Sequence, residues 1–311
     1  MRMLITGGAG FQGSHLTRRL AHAGHEVTVL NTYSSPAEAA AACFPPGVKT
    51  VWGSVTDSEI VRKTMRGQDV VVHLAARINV DESRDDPGAY IAANVNGTFN
   101  VLEATRETGA RMVFGSSCEV YGSGHGGLLT EASELRPYSP YAASKAAADR
   151  LCFAYHRTYG LDVTVVRPCN IYGEGQKAGK GGAVIAIFVE RALNNEPLVV
   201  FGDGAQTREY MNVDDLVAGY ELVLQRDGLA GETVNLGTGE SVSIKTIAQL
   251  VAKRFNATVM TGPVRPGEVP SFELDSAKAR ALGFTPRVSF ADGLDRYMSW
   301  RMQPAPVATS G

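Results

Sequence analysis

Short apolar runs alternate with longer stretches of helical period through the first 170 residues. Met3–Thr6, Glu26–Leu30, Lys49–Trp52, Val70–Leu74, Arg111–Ser116 and Val163–Pro168 read as strands. Val70-Val71-Val72-His73-Leu74 lacks the polar alternation of a half-exposed strand, so it is expected to be covered on both faces. Between the strands, Gly13–Ala23, Asp57–Arg66, Ala89–Thr108 and Pro140–Tyr159 read as helices. This alternation predicts an α/β fold, a doubly wound parallel sheet with helices on both faces. After Pro168 the pattern loosens. Gly173–Gly182 reads as an exposed loop, Val184–Asn194, Val213–Leu224 and Ile244–Phe255 as helices, and Leu198–Phe201 as a short strand. The expected organisation is a first domain over 1–170 and a smaller C-terminal α/β domain over 171–303. Some of the latter returns to the first sheet, and a frayed tail covers 304–311.

Composition narrows the class. The 311 residues carry 30 Lys+Arg against 32 Asp+Glu, a formal net charge of −2, with 44% hydrophobic and 20% charged residues. That is ordinary globular usage without the basic excess of a nucleic-acid binder. No apolar run approaches the roughly 18 residues needed to cross a bilayer. Met1–Thr6 leads straight into strand and glycines with no small-residue cleavage site, so no signal peptide is expected. Cys43, Cys118, Cys152 and Cys169 form no C-x-x-C pair and no metal-ligand spacing with the six histidines. Reduced thiols in the cytoplasm and no metal site are the expectation.

The first candidate chemistry follows the first strand. Gly7-Gly8-Ala9-Gly10-Phe11-Gln12-Gly13 has the spacing G-x-x-G-x-x-G and opens a helix. Glycines allow backbone to approach a pyrophosphate closely, and the helix start supplies N–H groups and partial positive charge. This is a Rossmann-type dinucleotide fingerprint. Asn31 stands at the end of the second strand, where a carboxylate commonly binds the adenosine ribose. No Arg or Lys lies between Asn31 and Pro46 to receive a 2′-phosphate, which favours NAD over NADP.

The second is Tyr141-Ala142-Ala143-Ser144-Lys145, which places a phenol and an ammonium on one helical face. An ammonium nearby is expected to lower the tyrosine pKa and make it a usable base toward a hydroxyl. Upstream, the fifth strand ends in Ser116-Ser117-Cys118-Glu119-Val120-Tyr121-Gly122, and strand C-termini are where ligands bind in open α/β sheets. His73 reads as a packed strand residue, Phe153-Ala154-Tyr155 as helix packing, and Asp214 and Asp215 as caps of the following helix.

Thr6–Gly13, Val72–Ala76, Ser116–Gly122, Tyr141–Lys145 and Arg167–Gly173 occur here in the order of the extended short-chain dehydrogenase/reductase family. The chain resembles its nucleotide-sugar epimerase/dehydratase branch over about residues 3–300. Gly202–Gly204, Arg208–Tyr210, Val213–Asp215, Asn235–Gly239 and Arg265–Glu268 match as well. The resemblance implies that Ser117 orients a sugar hydroxyl, Tyr141 takes its proton and Lys145 holds the nicotinamide ribose. It implies NAD contacts from Gly7, Gly10, Phe11, Gln12, Gly13, Asn31, Ser54, Val55, Leu74, Ala75, Ala76 and Pro168. It also implies that Asn170, Arg208 and Arg265 meet the substrate diphosphate and that Val200 and Phe201 flank the base. Val184 and Glu268 join the substrate contacts, and the assembly is a homodimer. Besides Asn31, Ser54 departs from the usual Asp and Glu174 from the usual Pro.

Cys118-Glu119 separates the reactions of that branch. Dehydratases resembling this chain carry an acidic pair there, usually Asp-Glu, and the Cys-Glu pair is similar to the UDP-N-acetylglucosamine 5,6-dehydratase of tunicamycin biosynthesis. The implied reaction is dehydration of a nucleotide sugar, with a UDP-hexose the expected substrate: transient C4 oxidation, Glu119 as C5 base, and Cys118 as acid for the C6 hydroxyl. A thiol with a reference pKa of about 8.5 carries its proton at pH 7. The alternatives are a 4-epimerase and a UDP-glucuronate decarboxylase. A non-catalytic dinucleotide sensor on this fold would have lost the Tyr141/Lys145 pair.

Overall fold

The computed structural model describes residues 1–32, 44–122, 127–176, 178, 183–264 and 271–303. Seven parallel strands form the main sheet in the order β10-β6-β5-β4-β1-β2-β3. They are β1 (Arg2–Thr6), β2 (Glu26–Asn31), β3 (Lys49–Trp52), β4 (Val70–His73), β5 (Arg111–Gly115), β6 (Val163–Pro168) and β10 (Thr233–Leu236). The sheet is Rossmann-type, and its order reverses between β1 and β4, where Thr6 pairs with His73. Such a reversal opens a crevice beyond the carboxyl ends of the strands.

Alternation along the strands builds two apolar layers. Met3, Ile5, Val70 and Val72 pack on one face with Leu16, Leu20, Leu216 and Tyr220. Leu4, Val71 and Met112 pack on the other with Val61, Val101, Ala148 and Cys152. Both faces are buried, which accounts for the unbroken apolar reading of β4.

The helices start and stop for local reasons. Asp57 caps Ser58–Met65 by accepting from the Glu59 and Ile60 N–H groups. Ser139 caps Pro140–Tyr159 by accepting from Ala142, proline fills the first turn, and Gly160 closes the helix at φ 68°. The expected Ala89–Thr108 helix is not continuous: Pro87–Tyr90 runs into a π turn, Ile91–Asn96, before Gly97–Thr108. Asn212, not Asp214 or Asp215, caps Val213–Gln225. Asp215 instead accepts from the Arg287 and Val288 N–H groups.

A second lobe carries β8 (Leu198–Phe201) paired with β12 (Val259–Gly262). It also holds β9 (Thr207–Asn212), flanked by β7 (Asn170–Tyr172), β11 (Ser241–Ser243) and β13 (Ser271–Phe272). Its own core packs Ile185, Phe188, Leu198, Ile247, Val251 and Leu294. Among the described residues no helix is long and apolar enough to cross a membrane.

Candidate active site

The glycine turn sits directly on the chain that leaves β4. A Cβ on Gly7, whose φ is +73°, would lie 2.7 Å from the Ala75 nitrogen, and one on Gly13 would lie 2.1 Å from the Gly7 oxygen. Only glycine fits both places. Helix Phe11–His22 opens at Gly10 with no side-chain cap and no acid in its first turn. Its first N–H groups and its dipole therefore favour an anion, as the diphosphate of NAD requires. Leu74, Ala75 and Ala76 line the same turn half-buried, and the Leu74 N–H donates to the Thr6 carbonyl at 3.0 Å. The Asn31 carboxamide oxygen accepts from the Ala9 N–H at 3.3 Å, and its amide donates to the Thr32 carbonyl. Asn31 thus braces the turn from the β2 end.

Ser54 hydrogen-bonds the Thr56 hydroxyl at 2.7 Å, and Val55 packs against Gly97. Pro168 is buried at the end of β6, opposite Leu236.

A buried hydrogen-bond chain underlies the crevice. Thr6 Oγ1 lies 2.6 Å from His73 Nδ1, and His73 Nε2 lies 3.0 Å from Thr98 Oγ1, which donates to the Asn94 carbonyl. Burial, with the Lys145 charge second, pushes His73 down to about 3, so it stays neutral and structural. Asn94, in the π turn, accepts from the Arg77 N–H at 2.8 Å and donates to Ser144 Oγ at 2.8 Å. The turn thereby fixes the catalytic-candidate helix, a use consistent with the enrichment of π turns at functional sites.

Tyr141 and Lys145 are both buried on that helix. Lys145 Nζ donates to the Gly115 carbonyl and lies 4.4 Å from the Phe114 ring centroid. Burial lowers it to about 8. Burial raises Tyr141, against a downward pull from its hydrogen bond with Ser117. The expected lowering of the phenol by Lys145 is not found: desolvation of the phenolate is the largest influence on it. Tyr90 packs edge-on to Tyr141 with centroids 6.4 Å apart.

Ser117 caps the short turn Cys118–Tyr121, accepting from the Glu119 N–H at 3.2 Å. The turn splits its two chemical residues. Cys118 is 2% exposed and belongs to the apolar core. Burial, then Glu119 and Glu209, raise its thiol. The side chain expected as an acid is thus enclosed in the core. Glu119 is half-buried, and Tyr138 Oη donates to its Oε2 at 2.7 Å.

On the second lobe, Asn170 donates to the Glu209 carbonyl at 3.2 Å and Arg208 is half-buried on β9. The Arg208 charge opposes the upward shifts of the Cys118 thiol and the Tyr138 and Tyr210 phenols. Val184 and Phe201 are half-buried, whereas Val200 faces into the lobe's core. Arg265 and Glu268 lie outside the described residues, as do Cys43 and the 304–311 tail. Among the described residues no group of His, Cys, Asp or Glu is arranged to hold a metal.

The model of the NAD dependent epimerase/dehydratase family matches residues 3–237. The chain belongs to this family. It is 38% identical to a dTDP-glucose 4,6-dehydratase of Streptomyces niveus, covering 96% of this chain and 92% of the relative. Among solved structures it resembles the dTDP-glucose 4,6-dehydratase DesIV of Streptomyces venezuelae, solved with NAD bound: TM-score 0.90, 39% identity, 96% of each chain. It also resembles the UDP-glucose 4-epimerase of Thermotoga maritima, solved with UDP-glucose: TM-score 0.90, 30% identity, 97% of this chain and 98% of that one.

In this NAD-dependent family member the glycine turn packs on the β4 exit at the switch point of the sheet, and the Tyr141 helix is tied to the end of β5 through Lys145 and to the π turn through Ser144. Tyr138, Asn94 and Tyr90 escaped the sequence reading. Asn94 carried no signal, because an asparagine inside an apolar helical pattern looks like a solvated position. Tyr138 carried one: it directly precedes the Ser139 cap that orients Tyr141.

Proposed function

We propose that this enzyme is an NAD-dependent nucleotide-sugar dehydratase acting on a hexose linked to thymidine or uridine diphosphate. The carrying observation is Glu119: a half-buried carboxylate whose N–H donates to Ser117 Oγ at 3.2 Å and whose Oε2 accepts from Tyr138, three residues before Tyr141, at 2.7 Å. Transient oxidation alone needs a base at the C4 hydroxyl. Elimination also needs one at C5, and Glu119 is available for it.

The chemistry NAD supplies when bound is reversible storage of a hydride, so no net oxidant is consumed. The glycine turn holds its diphosphate, and Leu74, Ala75 and Ala76 border it. Ser117 orients the sugar, Tyr141 accepts the C4 hydroxyl proton as the phenolate that the Lys145 ammonium and the positive nicotinamide of bound NAD would favour, and Lys145 would secure the ribose beside it. Removal of hydride from C4 leaves a ketone that acidifies the C5 hydrogen, which Glu119 takes. Asn170, Arg208 and Arg265 hold the diphosphate of the sugar, a task suited to guanidinium forks.

The reading divides the chain into an NAD domain over 1–170 and a mainly sugar-binding domain over 171–303. It places the enzyme in the cytoplasm as a homodimer. Exposed Ile91 and Phe99 on one helical segment and Phe153 and Tyr159 on the Pro140–Tyr159 helix support a pairing of like helices. Of the Phe153–Tyr155 stretch expected to pack, Tyr155 lies in the core, whereas Phe153 is exposed with Arg150 over its ring.

The test is substrate deuterated at C5. The wild-type enzyme is expected to exchange or lose the label and release one water. Glu119→Gln should oxidise C4, keep the label and stall. A wild-type enzyme that turns over sugar with the label intact and no loss of water is a 4-epimerase.

A further inference from the structure

Dehydration needs a proton for the departing C6 oxygen, and Cys118 is poorly placed to give it. Residue Cys118 is 2% exposed, whereas Tyr138, across the same turn, is 40% exposed. The approach of Tyr138 to Glu119 is built in. A Cβ on Gly122, at φ +67°, would lie 1.5 Å from the Arg136 carbonyl oxygen, and the Arg136 N–H donates to the Tyr121 carbonyl at 3.1 Å. The Cys118–Tyr121 turn is thus locked against the segment that carries Tyr138. From there the phenol reaches Glu119 Oε2 at 2.7 Å.

Resting on the dehydratase reading, we propose that Tyr138 and Glu119 form a proton relay that serves both ends of the elimination. Glu119 takes the C5 proton, and the C5–H electron pair moves first into the C4 ketone as an enolate, reversibly, and then returns to form the C5=C6 double bond. The C6–O bond breaks with its electron pair on oxygen, and the Tyr138 phenol passes its proton to that oxygen, so water leaves. The proton on Glu119 moves along the existing hydrogen bond to the Tyr138 oxygen. Both side chains end as they began, and no outside acid or base is used. Burial and the Glu119 charge raise the phenol, so it holds a proton ready throughout the neutral range. A standing phenolate is never required, because the donor is reprotonated by its own partner.

The experiment compares wild type, Tyr138→Phe and Cys118→Ala with a C5-deuterated nucleotide sugar in single turnover. Absorbance of reduced nicotinamide reads C4 oxidation, loss of label reads Glu119, and product mass reads water loss. Tyr138→Phe keeps the ring at a partly exposed site and so preserves the fold, checked by its melting temperature. It is expected to oxidise C4 and lose the C5 label at near wild-type rates while losing water about 10²-fold more slowly. Cys118→Ala is expected to lose water at close to the wild-type rate. The relay is overturned if Tyr138→Phe loses water normally, or if Cys118→Ala is the slower variant. Equal slowing of label loss and water loss in Tyr138→Phe also overturns it, since that marks a residue that only orients Glu119. If wild type releases no water from any nucleotide sugar, the dehydratase reading itself fails and takes the relay with it.

Discussion

Two arginines brace this molecule, one in each half, in opposite dielectric surroundings. Arg167, on β6, forks onto Asp149 of the Pro140–Tyr159 helix at 2.8 and 2.9 Å, with both side chains at most 1% exposed. Ser116 donates to the same carboxylate, and Arg167 also reaches the Tyr121 hydroxyl and the Glu131 carbonyl. Arg296, on helix Phe290–Arg301, forks onto Asp214 at 2.6 Å and Glu174 at 3.1 Å, itself 45% exposed. His15, from the glycine-turn helix, hydrogen-bonds the Glu174 carbonyl at 2.7 Å. The second cluster therefore ties the lobe holding Arg208 to the cradle for NAD. The contrast teaches where this fold is prebuilt. In the low-dielectric half Arg167 and Asp149 are paired and hydrogen-bonded, so removing one partner is costly. In the wet half the same fork is screened and weakly held.

The strongest way to break the comparison is Arg167→Met. It leaves Asp149 buried without its main partner and is expected to cost about 3–5 kcal/mol, read by urea denaturation. Asp149 keeps Ser116 and half-exposed Arg150 as partners, and adding Asp149→Leu should restore much of the loss, because an apolar pair replaces the under-compensated buried carboxylate and Arg150 can turn to solvent. A single variant that loses under about 1 kcal/mol would show that Asp149 is not desolvated as the geometry indicates.

The two halves also differ in how far the sequence discloses them. The main sheet was legible from β1 to β6 because strands covered on both faces read as unbroken apolar runs. The glycine turn was legible because its spacing is steric. β9 was not: Thr207-Arg208-Glu209 reads as surface, yet Glu209 is buried, its carboxylate accepting from the Gly239 and Leu274 N–H groups. β10 was missed because Thr233–Leu236 is four residues long and acquires its meaning only by pairing with β6. At the site, Tyr141 and Lys145 were found from their i, i+4 spacing, but the sign of the Tyr141 shift was not, since burial is a tertiary property. The closed position of Cys118 and the Tyr138–Glu119 contact depend on how the 117–122 turn meets the 136–138 segment, which no local pattern encodes.

Lys145, one turn before Asp149, sharpens the comparison through pH. Burial lowers it from 10.5 to about 8, with Asp149 among the charges opposing that shift. Below pH 8 both folded and unfolded chains hold the proton, and the folded state bears the desolvation cost. Between about pH 8 and 10.5 the unfolded chain binds more of it, so stability from this group rises with pH. The stability of NAD-free wild type relative to Lys145→Met is therefore expected to climb by about 2–4 kcal/mol across that window. A flat difference would mean that Lys145 is solvated in the free enzyme.

Arg296→Gln should have the smallest effect and is the fairest test of the wet half. The substitution removes the charge while keeping much of the side chain over Glu174 and Asp214. All three groups are in contact with water, so the lost pairing is expected to cost about 1 kcal/mol or less. Salt separates this cluster from the buried one. Raising the ionic strength from about 0.01 to 1 M shortens the screening length from about 30 to 3 Å, so the wild-type advantage should fade toward zero. The deficit of Arg167→Met should persist, because ions do not reach Asp149. The functional readout follows the same line. Glu174 and Asp214 border the glycine-turn helix through His15, so Arg296→Gln should weaken retention of NAD on a desalting column at low salt more than it changes the melting temperature. If its stability cost matches that of Arg167→Met, or does not respond to salt, the second lobe is held as rigidly as the first and the contrast between the halves fails.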